Sequence, residues 1–335
     1  MPARLVDRAP VVPPGELVAA LVPPQRFRDV RFSTYVPDPA QPSQAAAVRA
    51  LETFEGGFDD RASGGRARLR RRRPAPEGPA GVYLDGGFGT GKTHLLASLW
   101  HEAPEPKSYG TFVELTSLVG ALGFAATADA LSDRRLLCVD EFELDDPGDT
   151  VLVSTLLGRL IDAGVRLAAT SNTQPEDLGA GRFASDAFLR EIQGLAATFA
   201  VVRVDGEDYR QRGLPHAAQP PGDDEVAARV AAVPGATEDD FASLAAHLAT
   251  LHPSRYGALV EGVPLVGLHG VAPVSDQDVA LRLVVLVDRL YDRAVPVVAS
   301  GMPLDRLFPA DLLRGLYRKK YSRAVSRLVS LAGGS

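Results

Sequence analysis

One stretch, Gly86-Gly87-Phe88-Gly89-Thr90-Gly91-Lys92-Thr93, lies between an apolar run, Val82-Tyr83-Leu84, and a helix-like run from His94 to Trp100. It constrains the fold more than any other feature. Glycines let the backbone curl so that successive N–H groups point inward. The helix that follows adds its positive N-terminal end. G-x-x-x-x-G-K-[ST] between a strand and a helix is the pattern of a phosphate-binding loop. A Gly-rich turn before a helix is the bland alternative, and strand and helix signals on the correct sides argue against it. Gly86, Gly87, Phe88, Gly89, Thr90, Gly91, Lys92 and Thr93 are therefore read as binding the polyphosphate of a nucleotide. Lys92 is read as neutralising its β- and γ-phosphates, and the Thr93 hydroxyl as holding Mg²⁺.

Further on, Arg134-Arg135-Leu136-Leu137-Cys138-Val139-Asp140-Glu141 is an apolar run ending in two carboxylates. It reads as a buried parallel strand. Downstream of a phosphate loop, Asp140 reads as anchoring the Mg²⁺ hydration shell, and Glu141 as polarising the attacking water. A plain strand entering an acidic turn is the alternative, since Glu143, Asp145 and Asp146 follow. The next strand, Val165 to Ala169, runs into Thr170-Ser171-Asn172. Asn172 reads as orienting water or sensing the γ-phosphate, or else as a helix cap or turn residue before Pro175.

With 335 residues and 45% hydrophobic content the chain has room for about two domains with substantial cores. A formal charge of −6 gives no global reason for nucleic-acid binding. The single cysteine, Cys138, excludes an internal disulfide framework and suits a reducing compartment. No run of about 18 apolar residues appears, and the first ten residues lack a signal-like apolar core, so a cytoplasmic protein without a transmembrane segment is expected.

Prolines at 10, 13, 14, 23 and 24 suggest an irregular arm over 1–30. Phe32 to Pro39 reads as extended and Ser43 to Phe54 as a helix. Arg66, Arg68, Arg70, Arg71, Arg72 and Arg73 form a basic run, read as a solvated surface loop, with a patch for nucleic acid or acidic lipid as the alternative; without interleaved aromatics, stacking on bases has no support. Thr111 to Leu115 reads as a strand, Ser117 to Phe124 and Thr150 to Ala163 as helices. Gly181 to Gln193 reads as a helix carrying Arg182 and Arg190, and Phe199 to Val204 as a strand. Residues 31–214 form the expected nucleotide-binding core and 215–224 a linker. In 225–335, a lid or partner region, helices are expected at 239–251, 276–293 and 312–331 and strands at 264–268 and 295–299.

These motifs together resemble an AAA+ ATPase, and more narrowly the ZapE/AFG-type family of bacterial division-associated ATPases and their mitochondrial relatives. The resemblance rests on Gly81-Val82-Tyr83-Leu84-Asp85-Gly86-Gly87, Leu137-Cys138-Val139-Asp140-Glu141-Phe142 and Ala169-Thr170-Ser171-Asn172. More specific are Val204-Asp205-Gly206-Glu207-Asp208-Tyr209-Arg210, Leu286-Val287-Asp288-Arg289-Leu290-Tyr291-Asp292-Arg293 and Ser326-Arg327-Leu328. It implies a doubly wound αβα P-loop NTPase domain with a parallel sheet, plus a C-terminal α/β-helical region. It also implies a homo-oligomer, expected as a ring of six, whose sites are completed by a neighbour's arginine. Arg182 or Arg190 would supply that charge, and Arg327 or Arg255 would act within the subunit. A protein client in the division machinery is expected. The chain departs from the family pattern at Ser108-Tyr109-Gly110-Thr111-Phe112, where a basic, His- and Phe-rich strand is common, and at Glu143 to Asp149. Two rival readings are a replication-type nucleic-acid motor or helicase loader and an ATP-gated adaptor that does not hydrolyse; Glu141 argues against the second.

Overall fold

The computed structural model describes residues 3–58, 79–87, 89–142, 147–173, 193–206, 217–315 and 317–333. They fall into two units. One holds the described residues of 14–23 and 27–211; the other holds those of 1–13, 24–26 and 212–335.

In the first unit five short strands form a parallel sheet: β1 (Gly81–Asp85), β2 (Lys107–Thr111), β3 (Leu136–Asp140), β4 (Arg166–Ser171) and β5 (Phe199–Arg203). Their order is β2-β3-β4-β1-β5. Every residue of β1, β3 and β4 is buried, as expected of central strands covered on both faces. Successive side chains alternate between those faces. Tyr83, Leu137, Val139, Leu167 and Ala169 join one apolar cluster with the helices Phe112–Leu122, Phe124–Leu131 and Pro147–Asp162. Val82, Leu84, Leu136, Cys138 and Ala168 join another with the helices Pro42–Gly56 and Lys92–Glu102. Burial pushes the Cys138 thiol well above its ordinary range, so this residue is core.

The strand expected at Thr111 to Leu115 is displaced. β2 ends at Thr111, which caps the helix Phe112–Leu122. The Thr111 hydroxyl accepts from Glu114 N, and the Glu114 carboxylate accepts in turn from Thr111 N. This capping box overrides the β-rich composition of Phe112-Val113. Phe32 to Pro39 begins with a short 3-10 turn, Phe32–Thr34, closed by Thr34 onto Arg31. The first thirty residues, expected to be irregular, include short helical turns at Leu5–Asp7, Pro14–Ala19 and Gln25–Phe27.

The second unit carries β6 (Thr237–Asp240), β7 (Val266–Val271) and β8 (Val297–Gly301) in a parallel sheet, order β6-β7-β8. The helix expected from Asp239 starts at Phe241, because Asp240 caps it and the preceding residues pair with β7. Helices Gln277–Asp292 and Arg318–Gly333 bury their apolar faces in its core. The start of the chain belongs here. Ala3 bridges to Thr237, Leu5 is fully buried, and the N–H groups of Leu5 and Val6 donate to the Asp239 carboxylate at 2.8 and 3.1 Å. Burying one leucine contributes about 1.5–3 kcal/mol, which holds this segment despite its prolines. Among the described residues no single helix is long and apolar enough to cross a membrane.

Between the two long helices of this unit, Asp288 accepts bonds from Arg323 at 3.1 Å and from Arg327. Burial alone would raise the Asp288 carboxyl, but Arg327 and Arg323 outweigh it and hold it below the usual range. The stabilisation is therefore complete above the unfolded value of about 3.9 and is lost as pH falls through the lower folded value. Urea unfolding of the full chain at a series of pH values should show this acid loss. Asp288→Asn should cost about 1.5–3 kcal/mol near neutrality and flatten that acid limb.

Candidate nucleotide site

Parallel strands place all their C-terminal ends along one edge of the first sheet, where open α/β sheets bind ligands. β1 and β3 are not neighbours, because β4 lies between them. The loop after β1, Asp140 and Glu141 at the end of β3 and Asn172 after β4 meet there.

The loop can have no side chain at its first position. A Cβ on Gly86 would lie 2.1 Å from the Val204 carbonyl oxygen. At its far end Gly91 has φ +87° and caps the helix Lys92–Glu102, a conformation that favours glycine. Inside the curl the Lys92 ammonium donates to Gly86 O at 2.8 Å, to Gly87 O, and to Asn172 Oδ1 at 3.0 Å. These contacts join the β1 loop to the end of β4.

Thr93 Oγ1 donates to Asp140 Oδ1 at 3.3 Å. Asp140 is buried and well supplied with donors. Its Oδ2 accepts from the Tyr109 hydroxyl at 2.9 Å. Its Oδ1 also accepts from Thr170 Oγ1 and from Glu141 N at 3.1 Å. Glu141 N is shared with Thr170 Oγ1 at 3.0 Å, and Phe142 N donates to Thr170 O at 2.7 Å. Glu141 itself takes φ 54°, the left-handed region, which a residue other than glycine adopts only when its surroundings dictate it. Burial first, and Asp140 second, push the Tyr109 phenol well above its ordinary range, so it remains a donor.

Further contacts hold the loop from outside. Asp85, at the end of β1, pairs with Arg203, which also reaches Asp205 at 2.8 Å. Gln44 Nε2 donates to Asp205 O at 2.7 Å, and Asp205 N donates to Ser43 Oγ at 2.9 Å. Tyr35 donates to Thr90 O at 2.9 Å.

The residues fit both expected groups. Backbone at Gly86 and Gly91 that excludes side chains, closed by a lysine, suits a polyphosphate. A hydroxyl and a carboxylate 3.3 Å apart are the hard oxygen donors that Mg²⁺ takes. Of the residues expected here, the structure brings together Gly86, Gly87, Gly89, Thr90, Gly91, Lys92, Thr93, Asp140, Glu141 and Asn172. Phe88, Arg182 and Arg190 lie outside the described residues, as do the arginine run 66–73 and residues 143–146. Asn172 meets Lys92 through its side-chain oxygen. Arg255 and Arg327 belong to the second unit, where Arg327 binds Asp288 and lies over the Tyr291 ring. Tyr109, Thr170 and Tyr35 are site residues that the sequence does not single out. Thr170 stands inside a recognisable motif; Tyr109 reaches Asp140 only through the pairing of β2 with β3.

A phosphate loop on β1, an acidic pair on β3 and the intervening β4 with its polar end define an ATPase of the P-loop, AAA+ class. The chain belongs to the AFG1-like ATPase family, which it matches over residues 11–233 and 215–335. It is 28% identical over 286 residues to the cell division protein ZapE of Escherichia coli K12, covering 72% of this chain and 76% of that protein. It is 26% identical over 180 residues to lactation elevated protein 1 homolog B of Danio rerio, covering 47% of this chain and 36% of that protein. Among solved structures, domain III of the Thermotoga maritima replication initiation protein DnaA superposes with a TM-score of 0.40 at 19% identity, over 55% of this chain and 70% of that one.

Tyr109→Phe removes one hydroxyl and leaves Asp140 Oδ2 without that donor. A hydrogen bond to a charged group is worth about 1.5–3 kcal/mol, and the variant should lose that much stability in urea unfolding of the nucleotide-free protein.

Proposed function

We propose that this protein is a Mg²⁺-dependent ATP hydrolase that works as a homo-oligomer and remodels or regulates a protein partner. The observation that supports it best is the meeting of Lys92, Thr93, Asp140 and Asn172 at the ends of β1, β3 and β4. In this reading Lys92 and the loop N–H groups bind the phosphates of ATP. Thr93 and Asp140 would hold Mg²⁺, which would supply positive charge to neutralise the phosphates. Glu141 takes a proton from the attacking water, its backbone pinned by Thr170 so that the side chain leaves the strand at a set angle. Asn172 positions that water or senses the γ-phosphate.

Arg182 or Arg190 of a neighbouring subunit supplies the last positive charge, since a guanidinium stays charged and donates in a planar fork. A ring of six is the assembly that the family resemblance suggests. The name of the ZapE relative points to a client in the division machinery, with the 225–335 region as lid or partner surface. No described contact favours a nucleic-acid partner.

Lys92→Ala should abolish detectable ATP binding, measured with a fluorescent ATP analogue; parent affinity would sink the site assignment. Glu141→Gln should bind ATP normally and turn it over about 10²–10⁴-fold more slowly, measured by phosphate release. Specific activity should rise with protein concentration, because shared sites need assembly; a flat dependence would remove the trans arginine.

A further inference from the structure

The phosphate loop is gripped from outside by a segment that precedes it by about fifty residues. Four contacts make the grip, all from residues 34 and 35. Tyr35 donates its hydroxyl to the Thr90 carbonyl at 2.9 Å. The Tyr35 ring lies against Gly91, so closely that a Cβ there would sit 2.5 Å from Tyr35 Cε2. Next to it Thr34 Oγ1 hydrogen-bonds His94 Nε2 at 2.9 Å, and the Tyr35 and His94 rings meet edge to face at 5.5 Å.

The first contact has a directional consequence. The Thr90–Gly91 peptide is trans, since the cis bond among the described residues is Glu105–Pro106. In a trans peptide the N–H points opposite to the C=O. Holding the Thr90 carbonyl toward Tyr35 therefore turns the Gly91 N–H away from Tyr35. That N–H belongs to the last glycine before Lys92, where such loops present donors to phosphate. The Thr90 side chain has a close neighbour too: a Cβ on Gly206 would lie 2.8 Å from Thr90 Cγ2. Thr90 thus has one neighbour at its carbonyl and one at its methyl. Burial raises the Tyr35 phenol, which keeps it a donor at neutral pH.

Resting on the nucleotide reading above, we propose that Tyr35 is a positioning residue that sets ATP affinity by orienting the Thr90–Gly91 peptide of the phosphate loop. It touches no reacting atom. Its effect falls on binding and leaves the chemical step alone. The ring and the hydroxyl contribute separately, the ring by excluding side-chain and solvent space at Gly91 and the hydroxyl by aiming the peptide.

The experiment measures dissociation constants for a fluorescent ATP analogue in EDTA, together with KM and kcat in Mg²⁺, for full-length parent, Tyr35→Phe, Tyr35→Ala and Lys92→Ala. Tyr35→Phe keeps the ring, and should raise both the EDTA dissociation constant and KM about 2–10-fold, the value of one hydrogen bond. Its kcat should stay within about twofold, because uniform binding is lost and transition-state binding is not. Tyr35→Ala should weaken binding further than Tyr35→Phe. Parent affinity in Tyr35→Phe overturns the assignment of the hydroxyl, and so does a fall in kcat at unchanged KM. Should Tyr35→Ala fail to fold, the isosteric Tyr35→Phe decides alone. Lys92→Ala separates the two levels. If it loses binding while Tyr35→Phe binds like the parent, the positioning role fails and the nucleotide site stands. If Lys92→Ala itself binds like the parent, both fail.

Discussion

A carboxylate removed from water is stable only when hydrogen-bond donors replace its hydration. Asp140 meets that condition with donors drawn from four places: Tyr109 on β2, Thr170 on β4, Thr93 at the end of the phosphate loop and the N–H of Glu141. No two of the side-chain donors are near one another in the chain. They surround Asp140 only if β3 lies between β2 and β4, with β1 on the far side of β4. The strand order and the fully donated carboxylate therefore imply each other. The loop after β1 adds a parallel requirement, since Gly86 tolerates the Val204 backbone only because it has no side chain.

How far this is legible depends on distance along the chain. The phosphate loop, the acidic pair and Thr170-Ser171-Asn172 are visible because each motif sits at a strand end, where local pattern and function coincide. Tyr109 is not, because its role needs the register of β2 against β3, which no local pattern contains. Thr111 is misleading for a different reason. Its flanking residues favour a strand by composition, yet Glu114 closes a capping box and the helix wins. β6 escapes notice because Thr-Glu-Asp-Asp lacks an apolar face, while its Asp239 is buried against the N–H groups of Leu5 and Val6.

The second unit shows the same logic with charges of both signs. In the sequence, the segment around Asp288 and the Ser326-Arg327-Leu328 stretch are family marks without a physical role. In the structure each contributes half of one contact. Asp288 needs a positive partner to remain charged, and Arg323 and Arg327 answer from the last helix. The Tyr291 ring then meets both the Arg327 and the Arg26 guanidinium groups, an arrangement that favours arginine over lysine because a planar cation can stack.

Cys138 is a core residue, but its position has a use. It is the only cysteine in the chain, lies on the same strand as Asp140, and is fully buried. A thiol reagent reaches it only when the nucleotide-binding sheet opens, and the second unit has no thiol to compete. The rate of covalent labelling thus reports local opening of one unit in the native ensemble. The chain carries its own reporter for whether nucleotide tightens the sheet that holds it.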